Sequence, residues 1–330
     1  MIRLAVAGTA HPHVEYVLSE LAHQPNVQLV GISEPDPAAA QRYTGGLDVP
    51  TYTSHEELLD THDVDAVAVC GEYGARADVV VAALQRGAHV LADKPLCTTL
   101  DDLDRIDKAA RTADRLVSIM FEKRGHPVTI AARQLVEDGV LGDLALVAST
   151  GPHKLNRESR PAWFFDRTRY GGILGDLPVH DIDLVLALSG ARAGSVAGRV
   201  GNRSLPEYPG FSDNGAVLLG ADGVTATIEA HWMWPAASAY HGQYRMRLTG
   251  TSGTAELDWA LGTLAVVTRD RDVHHPELGA PVRPAEDFLT ALVAGRHPEV
   301  GTADSLVATR IALLAQLSAD TGGVPQNWSR

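Results

Sequence analysis

Apolar residues come as short unbroken runs in the first third of the chain and alternate with polar ones over much of the second half. The runs fall at residues 3–7, 28–33, 66–70, 89–92 and 116–120. Between them, residues 14–23, 37–43, 55–59, 75–86 and 100–112 repeat apolar positions at helical spacing. Short apolar strands separated by helices predict a parallel sheet covered on both faces. Such a doubly wound α/β domain binds its ligands at the carboxyl ends of the strands.

The pattern then changes. Residues 128–138 predict a helix, 144–150 a strand, and 151–169 a polar and aromatic loop. Residues 174–188 predict one strong helix. The stretch NGAVLLGADGVTATIEAHW is two alternating runs around Asp222-Gly223, a hairpin signal. More strands flank Gly250 and Gly253, and helices at 285–294 and 302–319 follow. Helices with an antiparallel meander predict an α+β second domain built on one sheet. The expected division is 1–121 and 122–330, without repeats, linker or low-complexity segment.

Composition narrows the function. A chain of 330 residues is long for one core and suits two domains. Its formal charge of -13 argues against nucleic acid and anionic membrane surfaces as partners. No run approaches the ~20 apolar residues of a membrane span, and the start does not read as a signal peptide. Two cysteines, Cys70 and Cys97, exclude a disulfide scaffold and read as buried reduced thiols. The expectation is a soluble cytoplasmic enzyme or binding protein. Of 28 basic residues only Lys94, Lys108, Lys123 and Lys154 are lysines, so each invites a reason.

The first strand runs into Gly8 in LAVAGTAHPHVEYV, where a helix then begins. A glycine turn opening a helix leaves backbone N–H groups that suit a pyrophosphate. The usual G-x-G-x-x-G is here G-x-A-x-x-H, with Ala10 and His13 in place of two glycines. Glu34 ends the second run, where a carboxylate hydrogen-bonds a ribose hydroxyl and repels a 2′-phosphate. His11 and His13 have the spacing of a metal pair, but no Cys or acidic partner is expected close by, so they read as loop and helix-start residues and no metal is expected. Lys94 follows the run 89–92, at the edge where ligands bind, between Asp93 and Pro95. Asp93 is expected to pair with it, and an X-Pro bond in such a turn is a candidate for the cis form.

In GGILGDLPVHDIDLVLAL, Asp176, His180 and Asp183 follow i, i+4, i+7 and share one face of a helix. Leu177, Val179, Ile182, Val185 and Leu186 take the other face, so the polar triplet is expected to line a cleft. Imidazole suits proton transfer near neutral pH. The competing reading is a helix-dipole Asp and a satisfied core His.

In this order and spacing, the Gly8 turn, EPDP after residue 33, GAHVLADKPL, GGILGDLPVHDIDLVL, GTSGTAEL and EDFLTALVAGRHP resemble the glucose-fructose oxidoreductase / inositol dehydrogenase family, Gfo/Idh/MocA. The resemblance covers nearly the whole chain. It implies an N-terminal Rossmann domain and a C-terminal domain with an open, mostly antiparallel sheet that often carries a dimer or tetramer. It implies NAD- or NADP-dependent hydride exchange with a sugar, polyol or related hydroxyl compound. Lys94 would touch the reacting hydroxyl and the nicotinamide ribose, Asp176 would orient the substrate, and His180 would take the hydroxyl proton. The cofactor would lie against Gly8, Thr9, Ala10, His11, Pro12, His13, Glu34, Cys70, Gly71, Glu72, Tyr73, Asp93, Lys94 and Pro95.

The substrate would lie against Lys123, Arg124, His153, Lys154 and Trp163 besides Asp176 and His180, with Arg160, His231 and Trp232 as further pocket residues. Those basic residues leave room for an anionic group, such as that of a hydroxy acid. The chain departs from the family where CGEYGARAD replaces a Pro-Asn and, three residues later, a His, and where Asp93 replaces Glu. Glu34 favours NAD, while Arg42 leaves NADP open. Two other readings keep the fold: a redox-neutral lyase or hydrolase with tightly held NAD, and a ligand sensor that has lost the cofactor.

Overall fold

Residues 4–7 form the middle of a six-stranded parallel sheet and are all buried, which is why this run is apolar without alternation. The computed structural model describes residues 1–44 and 47–330. The chain divides into two compact units, Met1–Phe121 with Thr168–Gly171 and Arg283–Leu306, and Glu122–Arg167 with Gly172–Val282 and Val307–Arg330. A single cut at 121 therefore leaves two later segments that belong with the first unit.

The first unit alternates β1 (Ile2–Ala7), α1 (Val14–Glu20), β2 (Val27–Ser33), α2 (Pro37–Thr44), β3 (Thr51–Tyr52), α3 (His55–Thr61), β4 (Ala66–Val69), α4 (Arg76–Gln85), β5 (His89–Ala92), α5 (Leu100–Ala113) and β6 (Val117–Ile119). The strand order is β3-β2-β1-β4-β5-β6. This is the doubly wound order expected, and it reverses between β1 and β4, where such sheets open a ligand crevice. Only β3 escaped the pattern, because two residues carry no periodicity. Helix starts follow capping chemistry: Ser54 and Thr99 accept from the N–H of Glu57 at 3.2 Å and of Asp102 at 3.1 Å.

The chain continues as α6 (Pro127–Glu137), β7 (Leu144–Pro152), α7 (Arg167–Tyr170), α8 (Ile173–Asp176), α9 (Val179–Ser189), β8 (Ala193–Gly201), β9 (Asn214–Ala221), β10 (Val224–His231), β11 (Arg245–Gly250), β12 (Gly253–Asp258), β13 (Thr263–Thr268), α10 (Glu286–Ala294), α11 (Thr302–Asp320) and β14 (Gln326–Ser329). In the first unit, Phe288 and Leu289 of α10 join the core of Leu4, Val6, Val14, Val17 and Ile32.

The second unit is one eight-stranded sheet, β13-β12-β11-β7-β10-β9-β8-β14, antiparallel except for β7 against β10. The open, mostly antiparallel sheet is thus as expected. The β9–β10 hairpin turns at Asp222 and Gly223, with φ of 45° and 91°. Two positive φ values are what a two-residue turn of the strand-matching hand requires. Strand β10 alternates buried and exposed positions, so one face is covered, by helices including α9, and one is bare. Strand β8 was missed because AGSVAGRVG is small and glycine-rich, and β14 because it is four residues long. Among the described residues, no helix is long and apolar enough to cross a membrane.

Candidate active site

In the first unit, Gly8 has φ +88°, and a Cβ there would lie 2.3 Å from the Cα of Gly71. The turn after β1 and the loop after β4 therefore meet backbone to backbone at the order reversal, and only glycine at position 8 permits it. Thr9 donates its backbone N–H to Glu34 Oε2 at 2.5 Å and its hydroxyl to the same oxygen at 3.2 Å. Glu34 Oε1 accepts the Asp36 N–H at 3.0 Å. This buried carboxylate thus joins the β1 turn to the end of β2. A carboxylate has about four acceptor sites, so capacity remains for a ribose hydroxyl.

His11 and His13 do have an acidic partner, which corrects the expectation. Asp93 takes His11 Nδ1 on Oδ2 at 2.9 Å and His13 Nδ1 on Oδ1 at 2.8 Å. The two rings meet edge to face at 4.3 Å. Asp93 Oδ1 also accepts the backbone N–H of Lys94 at 2.8 Å, which fixes the start of the Lys94–Pro95 turn. That peptide bond is cis. Burial works against the Asp93 charge, but the two imidazoles outweigh it and hold the carboxyl well below the usual range. Burial pushes His11 down to about 3 against the pull of Asp93, so its ring is neutral at pH 7.

Among the described residues, these three are the group whose ligand atoms lie close enough to surround a metal ion, within 4.8 Å of one another. The charges around them favour a hydrogen-bonded cluster instead. Asp93 Oδ2 is also 3.4 Å from the Arg76 guanidinium, and the Lys94 ammonium adds to the positive field at His11. A dication here would add to two nearby cations with one carboxylate to offset them.

Arg76, which the sequence marks only as the replacement for the family's His, has a role here that sequence reasoning did not assign. It is 1% exposed. Its Nη1 donates to the carbonyls of Asp93 at 2.8 Å and Pro95 at 2.6 Å, and Nη2 to that of Gly71 at 2.8 Å. In place of the family's His, it fastens the loop after β4 to the turn after β5. Glu72 faces Arg169 as a two-pronged ion pair, and Tyr73 stacks on Tyr170 at 5.9 Å. Cys70 is fully buried, and burial raises its thiol far above the ordinary value, so it is a packing residue and not a nucleophile. Lys94 is 4% exposed at the carboxyl end of β5.

In the second unit, the single helix expected at 174–188 is two. Asp176 ends α8, Leu177 and Pro178 break the run, and α9 starts at Val179. Proline lacks the N–H that a continuous helix needs. The expected amphipathic face is also absent: Asp176, His180, Asp181 and Asp183 are each 3% exposed or less, as are the apolar residues between them. A helix buried all round must pair its charges internally. Three consecutive residues after Phe121 do this. Lys123 Nζ donates to Asp181 Oδ1 at 2.8 Å, and Arg124 to both oxygens of Asp183 at 2.7 and 2.6 Å. Glu122 Oε2 stands 3.4 Å from His180 Nδ1.

Lys123 and Arg124 are therefore held by α9. Lys123 also lies over the rings of Trp259 at 4.8 Å and Tyr244 at 5.2 Å. Asp183 is likewise engaged in the core. His153 packs on Tyr244 at 4.7 Å and Trp232 at 5.3 Å, with Nδ1 at 3.0 Å from the Gly151 carbonyl. Arg160 lies over Phe164 at 4.4 Å and Trp232 at 5.0 Å. Lys154 Nζ donates to the Ser238 carbonyl, and Trp163 is buried. His231 stands at the half-buried end of β10.

Residues 2–121 match the oxidoreductase family with an NAD-binding Rossmann fold (GFO_IDH_MocA), and residues 129–256 match the GFO/IDH/MocA C-terminal domain. The chain is 28% identical to a dTDP-3,4-didehydro-2,6-dideoxy-alpha-D-glucose 3-reductase of Streptomyces antibioticus, over 78% of this chain and 76% of that one. It is 23% identical to scyllo-inositol 2-dehydrogenase (NAD(+)) of Bacillus subtilis, over 77% and 72%. The fold matches an aldose-aldose oxidoreductase of Caulobacter crescentus with a TM-score of 0.84 at 21% identity, over 100% and 99% of the two chains.

Proposed function

The chain belongs to the Gfo/Idh/MocA oxidoreductase family, and on that premise we propose that it moves a hydride between NAD and a secondary hydroxyl of a sugar, polyol or hydroxy acid. The observation that carries this reading is the bare Gly8–Gly71 backbone at the order reversal of a parallel sheet, with Lys94 at the carboxyl end of β5 in the same unit. A cradle that a Cβ would fill suits a dinucleotide, so these residues fit the group.

Gly8, Thr9 and Ala10 would hold the pyrophosphate, and Glu34 the adenosine ribose, which favours NAD over NADP. Bound nicotinamide supplies or accepts the hydride. Lys94 would donate to the reacting oxygen and stabilise its developing negative charge. Asp176 would fix the substrate hydroxyl, and His180 would take its proton as the C–H bond breaks. The names of the two relatives support a ring-borne hydroxyl or ketone as the reacting group. Copies are proposed to associate through the bare face of the second sheet, which exposes Leu146 and Leu218; sedimentation in solution tests this.

The activity is tested by screening sugars, polyols and hydroxy acids for NADH formation with the wild type, Lys94→Ala and His180→Ala. Turnover that both variants reduce at least 100-fold is expected, the scale of a lost acid–base or electrostatic group. Full turnover in either variant contradicts the assignment.

A further inference from the structure

The segment Glu122-Lys123-Arg124 and helix α9 face each other as a ladder of three pairs: Glu122 with His180, Lys123 with Asp181, Arg124 with Asp183. Two rungs are short, hydrogen-bonded ion pairs at 2.8 and 2.6 Å. Both carboxylates are buried, and Ser149 Oγ donates to Asp181 Oδ1 at 2.7 Å as a further fastening. These rungs fix the backbone of residues 123–124 relative to α9. The first rung, Glu122 beside His180, is thereby set by its neighbours rather than by its own flexible side chain.

We propose that Glu122 is the positioning residue of His180: its carboxylate accepts a hydrogen bond from Nδ1–H, which keeps the proton on Nδ1 and leaves Nε2 as the proton-accepting nitrogen. The inference rests on the reading of His180 as the base. The separation of 3.4 Å is long for a hydrogen bond, as catalytic contacts are in proteins without substrate. The chemistry asks for such a partner. When a substrate hydroxyl gives its proton to Nε2, its O–H bond breaks, an N–H bond forms, and the ring becomes a cation. Bound nicotinamide would supply the acceptor for the hydride from the carbon that bears this oxygen. His180 is 3% exposed, so water does little to stabilise that cation. The carboxylate beside Nδ1 offsets it. Of the other charged groups along this face, Lys123 pairs with Asp181 and Arg124 with Asp183, and Asp176, one turn before His180, is the group assigned to the substrate.

The division of labour on the ladder is uneven. Removing Lys123 or Arg124 strands a buried carboxylate and unsettles the unit. Glu122 is 29% exposed in its side chain, so its removal strands no buried ion pair. It is the rung that structure alone least requires.

The test reads His180 directly. Protein with nitrogen-15 in its histidines is compared as wild type, Glu122→Gln and Glu122→Leu, with His180→Gln used to assign the signals. The wild type is expected to show His180 protonated on Nδ1, and Glu122→Leu to shift it toward the Nε2–H form. With an active substrate, kcat is expected to fall about 10- to 100-fold in Glu122→Leu with KM and NAD affinity unchanged. Glu122→Gln, which keeps an acceptor oxygen, is expected to keep the tautomer and lose part of the rate. A tautomer that is the same in wild type and Glu122→Leu overturns the proposal, and so does an altered tautomer with unaltered kcat. If the wild type turns over no hydroxyl substrate, the function fails separately and the nitrogen spectra still decide whether Glu122 sets the ring.

Discussion

The guanidinium of Arg76 and the carboxylate of Asp93 meet at 3.4 Å with neither side chain exposed. Around this contact the turn after β1, the loop after β4 and the turn carrying Lys94 are tied together, by His11 and His13 on one side and by the carbonyls of Gly71 and Pro95 on the other. The altered glycine loop is therefore held in place by charge and hydrogen bonds.

Asp93→Asn removes the carboxylate that, among the described residues, pairs with Arg76, which then lies buried without that counter-charge. A loss of about 3–5 kcal/mol of unfolding free energy is expected. Urea denaturation measures it, and a loss below about 1 kcal/mol would contradict the assigned role.

Acid should weaken the fold through His11. Its ring is held neutral down to about 3, whereas an unfolded histidine takes a proton near 6.5. Between these values the unfolded chain binds the extra proton, so stability rises with pH and is lost as pH falls below the unfolded value. Asp93, held well below its ordinary range, adds the same sign only below about 4. The His11 slope is up to ~1.4 kcal/mol per pH unit. Denaturation between pH 7 and 4 should show a shallower slope in His11→Gln than in the wild type.

Gly8 and Gly71 touch, yet they should answer alanine differently. At position 8 the backbone is left-handed and a methyl would sit 2.3 Å from Gly71 Cα, whereas at position 71 the nearest atom is 3.5 Å away. Gly8→Ala is expected to cost ~1–2 kcal/mol from the backbone alone and more from the overlap. Gly71→Ala should leave thermal stability within about 1 kcal/mol and weaken NAD binding, because the added methyl narrows the crevice.

Lys123 was expected in the substrate pocket, but it is the buried partner of Asp181. Lys123→Met should therefore destabilise the protein by about 3–5 kcal/mol. Replacing Asp181 by Leu in the same protein should restore much of that. Chemical denaturation of the single and double variants measures both, and a Lys123→Met protein of unchanged stability with raised KM would return Lys123 to the pocket.

Local pattern carried the parallel sheet, the Asp222-Gly223 hairpin and the family, because each is written in adjacent residues or a fixed spacing. The Gly8 turn, Glu34, Lys94, Asp176 and His180 stood out for the same reason. The partnerships did not. Asp93 meets His13 across 80 positions of chain, and nothing near either residue announces it. Glu122 lay unnoticed beside Lys123 and Arg124, since a charged triplet after a strand looks like solvated surface until α9 supplies an opposite group for each. The break at Leu177–Pro178 was legible in the proline, but helical periodicity continues through it and masked the stop.

The central claim is that this modified turn still binds a nicotinamide dinucleotide. Calorimetric titration of the nucleotide-free protein with NAD, NADH, NADP and NADPH tests it most directly. Micromolar binding with NAD(H) preferred, and that preference lost in Glu34→Ala, is the predicted result. No binding of any of the four would contradict it, and would mean that Ala10, His13 and the GEYGARA loop have closed the site and left a fold that senses its ligand without cofactor.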